Sequence, residues 1–466
     1  MYTEKALPGP AWNLNQGALR VHENRRQLVH TNGQPFFWLA DTAWELFHRT
    51  TREEAALYLD KRRGQGFTVV QAVALAELDG LRAPNSYGHT PLLDMDPARP
   101  DISGDRNYWT HVDDVFDIAE AHGITIAFLP TWGDKVGPKE WGIGPEVFTC
   151  ENAFAYGRFL GARYGRRKNL VWVIGGDRFL VYQGRDHRPV WRALVAGIKE
   201  GEGDAHNLMT FHPVGGQSSS LWLHDEPWLD FNMMQSGHAK RGDSNHDMIR
   251  ADLARPPYKP VVDGEPRYED HPVDFKDDNG WFTDADVRQA AYSALFAGAC
   301  GHTYGCHPVW QMLDGDRTPI TRARRSWKEA IDLPGAWDMQ HVRTLVLSRP
   351  VLGRMADPSL VADGQGEGID RVEACRDSEG KYALIYVPTG RPVTVNLARL
   401  RVSEQADGVQ AHWFDPRTGQ WLAGPKRSAT RLTVKQTFFP PAVAAGPGND
   451  FVLVLDRLDE TPKGNL

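Results

Sequence analysis

The chain has 466 residues, of which 53 are basic and 60 acidic, so its formal net charge is −7. This length exceeds one ordinary domain and suits an α/β barrel followed by something smaller. The mildly acidic balance, without a basic block, argues against nucleic acid as a partner. No stretch approaches the ~18 consecutive apolar residues of a membrane-spanning helix, so we expect no membrane partner.

The cysteines and the N-terminus indicate the compartment. Four cysteines are widely scattered, at Cys150, Cys300, Cys306 and Cys375. This pattern predicts buried free thiols in a reducing environment. The first residues lack a basic start followed by an apolar core, so no signal peptide is visible. The sequence as written is therefore predicted to be cytoplasmic, and export stays open if a signal has been removed.

Residues 1–35 are predicted to form an N-terminal extension that contains a β-hairpin. Two short apolar stretches, residues 19–21 and 27–30, are followed by Asn32-Gly33. Asn-Gly between apolar stretches is a strong hairpin signal. We expect this hairpin to cover the N-terminal end of the domain that follows.

Residues 36–350 alternate apolar strand-like stretches with helical segments, which predicts an α/β fold, specifically a (β/α)8 TIM barrel. The loops after the second, third and sixth strands are long, and such loops shape substrate pockets. The eight predicted strands are residues 36–41, 67–73, 124–130, 170–178, 208–212, 230–235, 260–268 and 301–305. The predicted helices are residues 52–64, 109–122, 151–164, 284–296 and 327–346.

Residues 365–460 are predicted to form a small antiparallel β-sandwich. Short alternating stretches are separated there by turn residues such as Gly380, Gly390 and Gly419. Short strands at this spacing are typical of a sandwich. The predicted strands are residues 371–376, 382–387, 392–397, 409–414 and 451–455.

Two predicted barrel strands end in a carboxylic acid. Asp177 follows Gly175-Gly176, and Glu265 follows Gly264. A parallel strand covered on both faces is apolar almost throughout, so a terminal carboxylate suggests function rather than packing. Because the carboxyl ends of barrel strands open at one mouth, the two acids should face each other. Two carboxyl groups flanking a cleft are the minimum equipment for hydrolysing a glycosidic bond.

The two acids are assigned different roles. Asp177 is predicted to be the general acid/base, which requires a pKa raised by burial or by a neighbouring carboxylate. Arg178 would lower that pKa and is expected to point away. Glu265 is predicted to be the nucleophile. The structural alternatives are a helix N-cap for Asp177 and, for Glu265, an ion pair with Arg267 or another basic residue. Carboxyl groups about 5–5.5 Å apart support a retaining mechanism. Because a sequence does not give the distance between Asp177 and Glu265, retention is a hypothesis at this point.

Further side chains at strand ends are candidates for binding sugar, by hydrogen bonds to hydroxyls or by stacking. A purely structural role is an equal alternative for each. Asp41 is the strongest candidate, because a carboxylate that closes an apolar strand can grip two adjacent hydroxyls. The candidate substrate-binding residues are Asp41, Trp44, Gln71, Trp132, His212, Gln235, His238, Tyr304 and His307.

We predict neither a metal nor a cofactor. Metal-dependent barrel hydrolases usually carry His-x-His at the end of the first strand, where this chain has Leu39-Ala40-Asp41. The His-Glu-x-x-His arrangement is absent as well. No predicted strand supplies a lysine in its C-terminal half for Schiff-base chemistry. Gly175-Gly176 alone is weak support for a phosphate-binding loop.

Five motifs, in this order, resemble those of the apiosidase-like family of bacterial glycoside hydrolases. They are residues 39–44 (LADTAW), 66–71 (GFTVVQ), 84–88 (PNSYG), 172–177 (WVIGGD) and 263–266 (DGEP). The resemblance spans roughly residues 18–350 and implies a TIM-barrel glycosidase. It places the family's acid/base aspartate at Asp177 and its nucleophilic glutamate at Glu265. Residues 365–457 resemble a small β-domain that is labelled as collagen-binding, a label from which we infer no activity.

The predicted function is therefore a glycoside hydrolase, retaining and exo-acting, whose partner is an oligosaccharide or glycoside substrate. Apiosidases of this family release the branched furanose apiose from plant pectin side chains, so the resemblance suggests a furanoside. Family membership alone does not fix the sugar, because loops choose the substrate. One alternative is a non-catalytic carbohydrate-binding protein, which would need neither Asp177 nor Glu265. Another is adhesion through the C-terminal domain, which an exposed apolar strip there would favour.

Overall fold

The computed structural model describes residues 16–137, 141–242, 245–400, 408–428 and 435–458. The strands of its N-terminal three quarters are numbered in chain order. They are β1 (Leu19–Val21), β2 (Leu28–His30), β3 (Pro35–Phe36), β4 (Trp38–Thr42), β5 (Val69–Leu75), β6 (Thr125–Thr131), β7 (Leu170–Gly175), β8 (Val181–Tyr182), β9 (Arg185–Asp186), β10 (Met209–His212), β11 (Gln217–Ser218), β12 (Asn232–Gln235), β13 (Val261–Asp263) and β14 (Gly301–Tyr304).

The α-helices lie between and after these strands. They are α1 (Leu46–Arg49), α2 (Arg52–Gly64), α3 (Tyr108–Ala121), α4 (Cys150–Tyr164), α5 (Arg188–Glu202), α6 (Ser220–Leu223), α7 (Asn245–Leu253), α8 (Asp284–Phe296), α9 (His307–Trp310), α10 (Trp327–Ala330) and α11 (Pro334–Leu347). Within the described parts of the chain, none of them is both long and apolar enough to cross a bilayer.

One nine-stranded sheet organises this part of the molecule. Its strand order is β10-β7-β6-β5-β4-β14-β13-β12-β11, and every pair is parallel except β11 with β12. The sheet nearly closes between β10 and β12, where the Thr210 hydroxyl donates to the Phe231 carbonyl (2.7 Å) and the Asp230 amide donates to the Met209 carbonyl (2.9 Å). This arrangement is consistent with a barrel.

The strands are apolar because both faces of the sheet are covered. In β4, Trp38 and Ala40 pack into an interior cluster with residues of the other strands. Leu39, between them, joins a second cluster that lies between the sheet and the helices. Successive side chains of a strand point to opposite faces, so a strand buried on both faces is a continuous apolar stretch.

The predicted elements match the structure most closely where periodicity and caps agree. Residues 52–64 and 284–296 are helices with the predicted bounds, and Thr51 starts the first of them with a capping box. The predicted helix 327–346 is wrong as one element. The structure divides it into α10 and α11, and Pro334 stands at the start of the second, where its missing N–H costs nothing. The helices α1, α5, α6, α7 and α9 are additional to the predicted ones.

The N-terminal segment forms a small sheet of its own. β1 pairs antiparallel with β2, which pairs antiparallel with β3, and the Gly33 amide donates to the His30 carbonyl (2.8 Å) in the turn. Leu19, Leu28 and Phe36 from these strands pack into the interior cluster of the large sheet. The predicted hairpin is present, and residues 1–15 lie outside the described residues.

The C-terminal part consists of antiparallel sheets, as predicted. A six-stranded sheet has the order β15-β17-β18-β23-β20-β21, and a three-stranded sheet has the order β16-β19-β22. The described residues of this part form more strands than the five predicted. The strands are β15 (Arg354–Ala356), β16 (Val361–Asp363), β17 (Glu373–Asp377), β18 (Tyr382–Val387), β19 (Val393–Asn396), β20 (Gly408–Asp415), β21 (Gln420–Ser428), β22 (Lys435–Phe438) and β23 (Phe451–Arg457).

These sheets pack directly on α8. Arg288 of α8 is 1% exposed and forms ion pairs with Asp338 (2.6 Å) and with Asp450 (2.9 Å), which immediately precedes β23. Tyr292, also on α8, stacks on Tyr386 of β18 with ring centroids 4.8 Å apart. Removing one partner of such a buried ion pair would leave an uncompensated charge and strongly destabilise the protein.

The four cysteines are all free thiols. Cys300, Cys306 and Cys375 are buried, as expected. Cys150 is exposed at the first residue of α4, so the prediction of burial is wrong for this residue. Its position follows from the cap at Thr149, which places the first helical turn at the surface.

Candidate active site

The turn after β7 presents Asp177. Gly175 and Gly176 have φ angles of +95° and +143°, conformations that other residues rarely adopt. A Cβ atom at Gly176 would lie 2.8 Å from the Gly133 amide nitrogen, so the close approach of the β6 and β7 loops also requires glycine. Asp177 itself has a φ of +49°. Such strain concentrates at functional sites.

Asp177 lies in a crowded polar environment, and its side chain is 18% exposed. The Trp141 indole N–H donates to Asp177 Oδ2 (2.8 Å). Arg178 Nη1 lies 3.7 Å from the same oxygen and donates to the Asp177 backbone carbonyl (2.7 Å). The expectation that Arg178 points away is therefore wrong. Its guanidinium instead spans the turn, because Glu77 (3.9 Å) and the Trp141 carbonyl attract its other end.

Glu265 lies two residues beyond β13 and is buried, with 6% exposure. Its Oε1 atom accepts a hydrogen bond from His238 Nε2 (3.1 Å). Its Oε2 atom lies 2.9 Å from His212 Nε2, although the angle falls outside hydrogen-bond geometry. Gly264 makes the approach possible, since a Cβ atom there would lie 2.5 Å from Met233 Cγ. Arg267, the ion-pair partner in the structural alternative for Glu265, donates from Nε to the Asp286 carbonyl (3.3 Å).

The imidazole of His212 bridges the two acids. The Asp177 amide donates to His212 Nδ1 (3.3 Å). An amide N–H can only donate, so Nδ1 carries no proton and the ring hydrogen lies on Nε2, which faces Glu265. His212 is fully buried at the end of β10. One side chain therefore fixes the turn that carries Asp177 and places an N–H beside the Glu265 carboxylate.

The two acids have opposite pKa shifts. Burial and the negative charge of Glu265 raise the pKa of Asp177 to about 6. Burial alone would raise the pKa of Glu265, but the N–H groups of His212 and His238 outweigh it, so that this pKa lies below its ordinary value. Asp177 thus holds its proton in mildly acidic solution while Glu265 is ionised. Carboxyl pairs separated in this way act as acid and nucleophile.

Aromatic side chains surround the pair. Trp44 lies 5.0 Å from Trp132 and 5.4 Å from His212 between ring centroids, and Trp132 lies 5.8 Å from His212. Gln71, buried in β5, donates to the Gly264 carbonyl (2.8 Å), directly before the glutamate. The structure therefore brings the predicted residues Trp44, Gln71, Trp132, His212 and His238 together with Asp177 and Glu265.

Gln235 and His307 lie farther along the same end of the sheet. Gln235 is the last residue of β12, and its Oε1 atom is buried without a hydrogen-bond partner among the described residues. His307 contacts the site through a row of rings, since its centroid lies 4.4 Å from His271, which stacks on His238 at 4.6 Å. His307 also hydrogen-bonds the Ile320 carbonyl (3.1 Å), a structural role.

Asp41 and Tyr304 are not brought to this cluster. Asp41 is fully buried and accepts from Tyr58 Oη (2.5 Å) and Arg62 Nε (2.6 Å), both on α2. Tyr304 donates to Glu269 Oε2 (2.6 Å), and both side chains are buried. These groups face the layer between the sheet and the helices, so the geometry gives them packing partners rather than a place beside Glu265.

Sequence reasoning missed several residues of the site. Trp141 lies in the loop after β6, where no periodic pattern marks it. Tyr268 packs on His238 with centroids 4.4 Å apart, and Phe275, which is 58% exposed, lies 4.9 Å from His271. Both follow Glu265 in one long loop. Their signal was the density of aromatic residues and histidines directly after Glu265.

A cavity of about 660 Å³ lies elsewhere, at the N-terminal ends of β10 and β12, and is lined by Lys199, Glu202, Asp230 and Lys259 among others. It contains neither Asp177 nor Glu265. Glu202 accepts a hydrogen bond from Trp172 Nε1 (2.6 Å), and Lys259 Nζ donates one to the Leu229 carbonyl (2.5 Å). Ligands of barrel enzymes bind at the opposite, carboxyl end of the strands.

Comparison with known proteins gives a consistent result. The family described as "Apiosidase-like, catalytic domain" matches residues 22–353, and the one described as "Putative collagen-binding domain of a collagenase" matches residues 355–456. A solved structure described as a glycoside hydrolase is 32% identical, with a TM-score of 0.85, over 96% of this chain and 98% of that one. No curated protein matches the sequence.

Two structures from Bacteroides vulgatus ATCC 8482 are also similar. One, described as a glycoside hydrolase of family 5, is 32% identical with a TM-score of 0.85 and covers 95% of this chain and 94% of its own. The other, described as a glycoside hydrolase, is 15% identical with a TM-score of 0.65, covers 96% and 83%, and shows the fold alone. The chain belongs to the apiosidase-like family of glycoside hydrolases, and it is a glycosidase that acts on a carbohydrate substrate.

Proposed function

We propose that the protein is a retaining, exo-acting glycosidase in which Asp177 is the general acid/base and Glu265 is the nucleophile. One observation carries this proposal. His212 contacts the backbone amide of Asp177 and the carboxylate of Glu265, and the two acids have opposite pKa shifts, so that one is protonated where the other is ionised.

The first step breaks the glycosidic bond. Glu265 attacks the anomeric carbon and forms a glycosyl ester, while Asp177 gives its proton to the departing oxygen. The leaving group is released as an alcohol, and no charge is left on it. His238 holds one carboxylate oxygen of Glu265 at 3.1 Å and fixes the direction of attack.

The second step depends on the coupling between the acids. Once Glu265 is esterified, it no longer carries the negative charge that raises the pKa of Asp177. The pKa of Asp177 then falls, so the same group that acted as an acid becomes a base. It removes a proton from water as the water attacks the anomeric carbon, and the ester breaks to regenerate ionised Glu265.

The finer features of fold and substrate belong to the same proposal. The near-closed sheet supports a (β/α)8 barrel over residues 36–350, after an extension at 1–35, and the two C-terminal sheets support a sandwich over 365–460. Family membership favours a furanoside. Exo action is part of the proposal, and the rings of Tyr268 and His271, which pack 4.4 and 4.6 Å from the His238 ring, form a compact cluster beside Glu265.

The test is a panel of aryl furanosides and pyranosides assayed with the wild type, Asp177→Asn and Glu265→Gln. Each substitution is expected to lower kcat by about 10⁴-fold or more on the substrate that the wild type turns over. The reason is that each removes a group that acts on the reacting atoms. Binding of the released sugar, measured by calorimetry, should persist in both variants.

The control is Asp204→Asn, which removes an acid whose side chain is 87% exposed. It should leave kcat and KM unchanged. Wild-type turnover that survives both substitutions at the paired acids would remove the mechanism.

A further inference from the structure

Trp141 has an unusual position for an exposed aromatic residue. It is 39% exposed, yet its indole N–H donates to Asp177 Oδ2 at 2.8 Å. The guanidinium carbon of Arg178 lies 4.4 Å from the ring centroid and covers one face of the ring. The exposed surface therefore belongs to the other face and to the edge, directly beside the predicted acid.

Hydrogen bonds to its backbone hold the loop that carries Trp141. Arg178 donates to the Trp141 carbonyl. Asp134, fully buried, accepts from the amides of Ile143 (3.2 Å) and Gly144 (2.8 Å). Gly142 has a φ of +84°, and a Cβ atom there would lie 2.7 Å from Arg178 Nη2. These contacts fix the backbone of the loop, so the position of the Trp141 ring is determined by the fold.

The position of the ring follows from the chemistry of the acid. A general acid must lie within hydrogen-bond distance of the leaving oxygen. A ring that hydrogen-bonds the acid is therefore adjacent to the group attached to that oxygen. We infer that Trp141 forms the leaving-group subsite, where its open face stacks on the sugar or aryl ring that departs. This inference rests on the proposed role of Asp177.

The hydrogen bond also orients the acid. The unprotonated oxygen of a carboxyl group is the stronger hydrogen-bond acceptor, so the indole N–H favours the form in which Oδ2 accepts and the transferable proton lies on Oδ1. Trp141 thus selects which oxygen of Asp177 faces the leaving group. The same bond favours the ionised carboxylate and lowers the pKa of Asp177 against the effect of burial.

The test uses two substrates with the same glycone, one with a nitrophenyl leaving group and one with fluoride, which has no ring and departs without a proton. Trp141→Ala is expected to lower kcat/KM about tenfold or more on the aryl glycoside, because stacking is lost, and to change it less than about twofold on the fluoride.

Trp141→Phe separates the two roles of the residue. A phenyl ring keeps the stacking surface, so most of kcat/KM on the aryl glycoside should remain. The lost N–H donor raises the pKa of Asp177, so the acid stays protonated to higher pH. The basic limb of the pH profile of kcat/KM should therefore move to higher pH in this variant.

The matched control is Trp222→Ala, which removes a tryptophan that is 42% exposed on α6. This variant should leave kcat/KM unchanged on both substrates. Equal losses on both substrates in Trp141→Ala, together with an unshifted basic limb in Trp141→Phe, would overturn the inference. A wild type that hydrolyses neither substrate would overturn the proposed function, and this inference with it.

Discussion

Asp41 and Glu265 are both buried carboxylates near the carboxyl end of a parallel strand, and the molecule uses them in opposite ways. Asp41 is held by the Arg62 guanidinium at 2.6 Å and the Tyr58 hydroxyl at 2.5 Å. Glu265 is instead contacted by the imidazoles of His212 and His238. A permanent cation neutralises an acid for packing, whereas imidazole N–H donors keep an ionised acid available for reaction.

The difference originates in where each strand ends. Asp41 lies within β4, so strand alternation turns its side chain toward the layer that contains α2. Asp177 and Glu265 each lie two residues beyond the last residue of their strands, β7 and β13. There, glycines redirect the chain and the alternation no longer applies. A shift of one or two residues thus decides whether a carboxylate that closes an apolar stretch faces the helices or lies in the candidate site.

The largest stability effect is expected at the structural carboxylate. Arg62→Met leaves the Asp41 charge buried without its cation and should lower the free energy of unfolding by about 3–5 kcal/mol. Urea unfolding measures this. In contrast, kcat of the folded fraction should be unchanged, because neither residue is near the reacting atoms.

Two variants control for charge loss in general. Arg166→Met removes an arginine whose side chain is 81% exposed and whose ion pair is at the surface, so it should change stability by less than about 1 kcal/mol. The double variant Asp41→Asn with Arg62→Met should regain part of the loss. A loss of activity in Arg62→Met that exceeds its loss of folded protein would contradict the division between the two carboxylates.

A smaller effect of opposite sign is expected at the functional acid. The folded-state pKa of Asp177, about 6, exceeds the ordinary value of 3.8. The group therefore favours folding below about pH 4, and this contribution is lost as the pH rises through 6. Asp177→Asn should raise Tm at pH 8 by about 1–3 °C relative to the wild type. At pH 4 the gain should disappear.

Scanning calorimetry at the two pH values makes this comparison, with Asp204→Asn as a control that should shift Tm equally at both. If Asp177→Asn instead lowered Tm at pH 8, Asp177 would be a structural group like Asp41.

The sequence carried most of the fold, because strand composition and helix caps act locally. The eight parallel strands and the helices α2 and α8 were predictable from apolar stretches and from capping residues such as Thr51. Helices such as α5 and α7 were missed. Their packing face became evident only once neighbouring elements were in place. The apolar pattern of residues 327–346 continues across Pro334, but a proline inside a helix lacks the N–H that the helix needs and instead favours a helix start.

The site was predictable in part. Glycine followed by an acid at two strand ends indicated Asp177 and Glu265, and position near strand ends indicated His212 and His238 as binding candidates. It failed for Arg178, whose direction depends on Glu77 and the Trp141 carbonyl, both distant in sequence. Trp141 itself lies on a loop whose position is fixed by tertiary contacts, so no local pattern could indicate it.

The central claim, that Glu265 forms the bond to the sugar while Asp177 moves the proton, is tested most directly by trapping the intermediate. A dinitrophenyl glycoside needs no acid to lose its leaving group, so Asp177→Asn should complete the first step and stall before the second. Mass spectrometry should then show one added glycosyl residue, located on the peptide that contains Glu265. An adduct on another residue, or turnover without any adduct and with inverted product, would contradict the account.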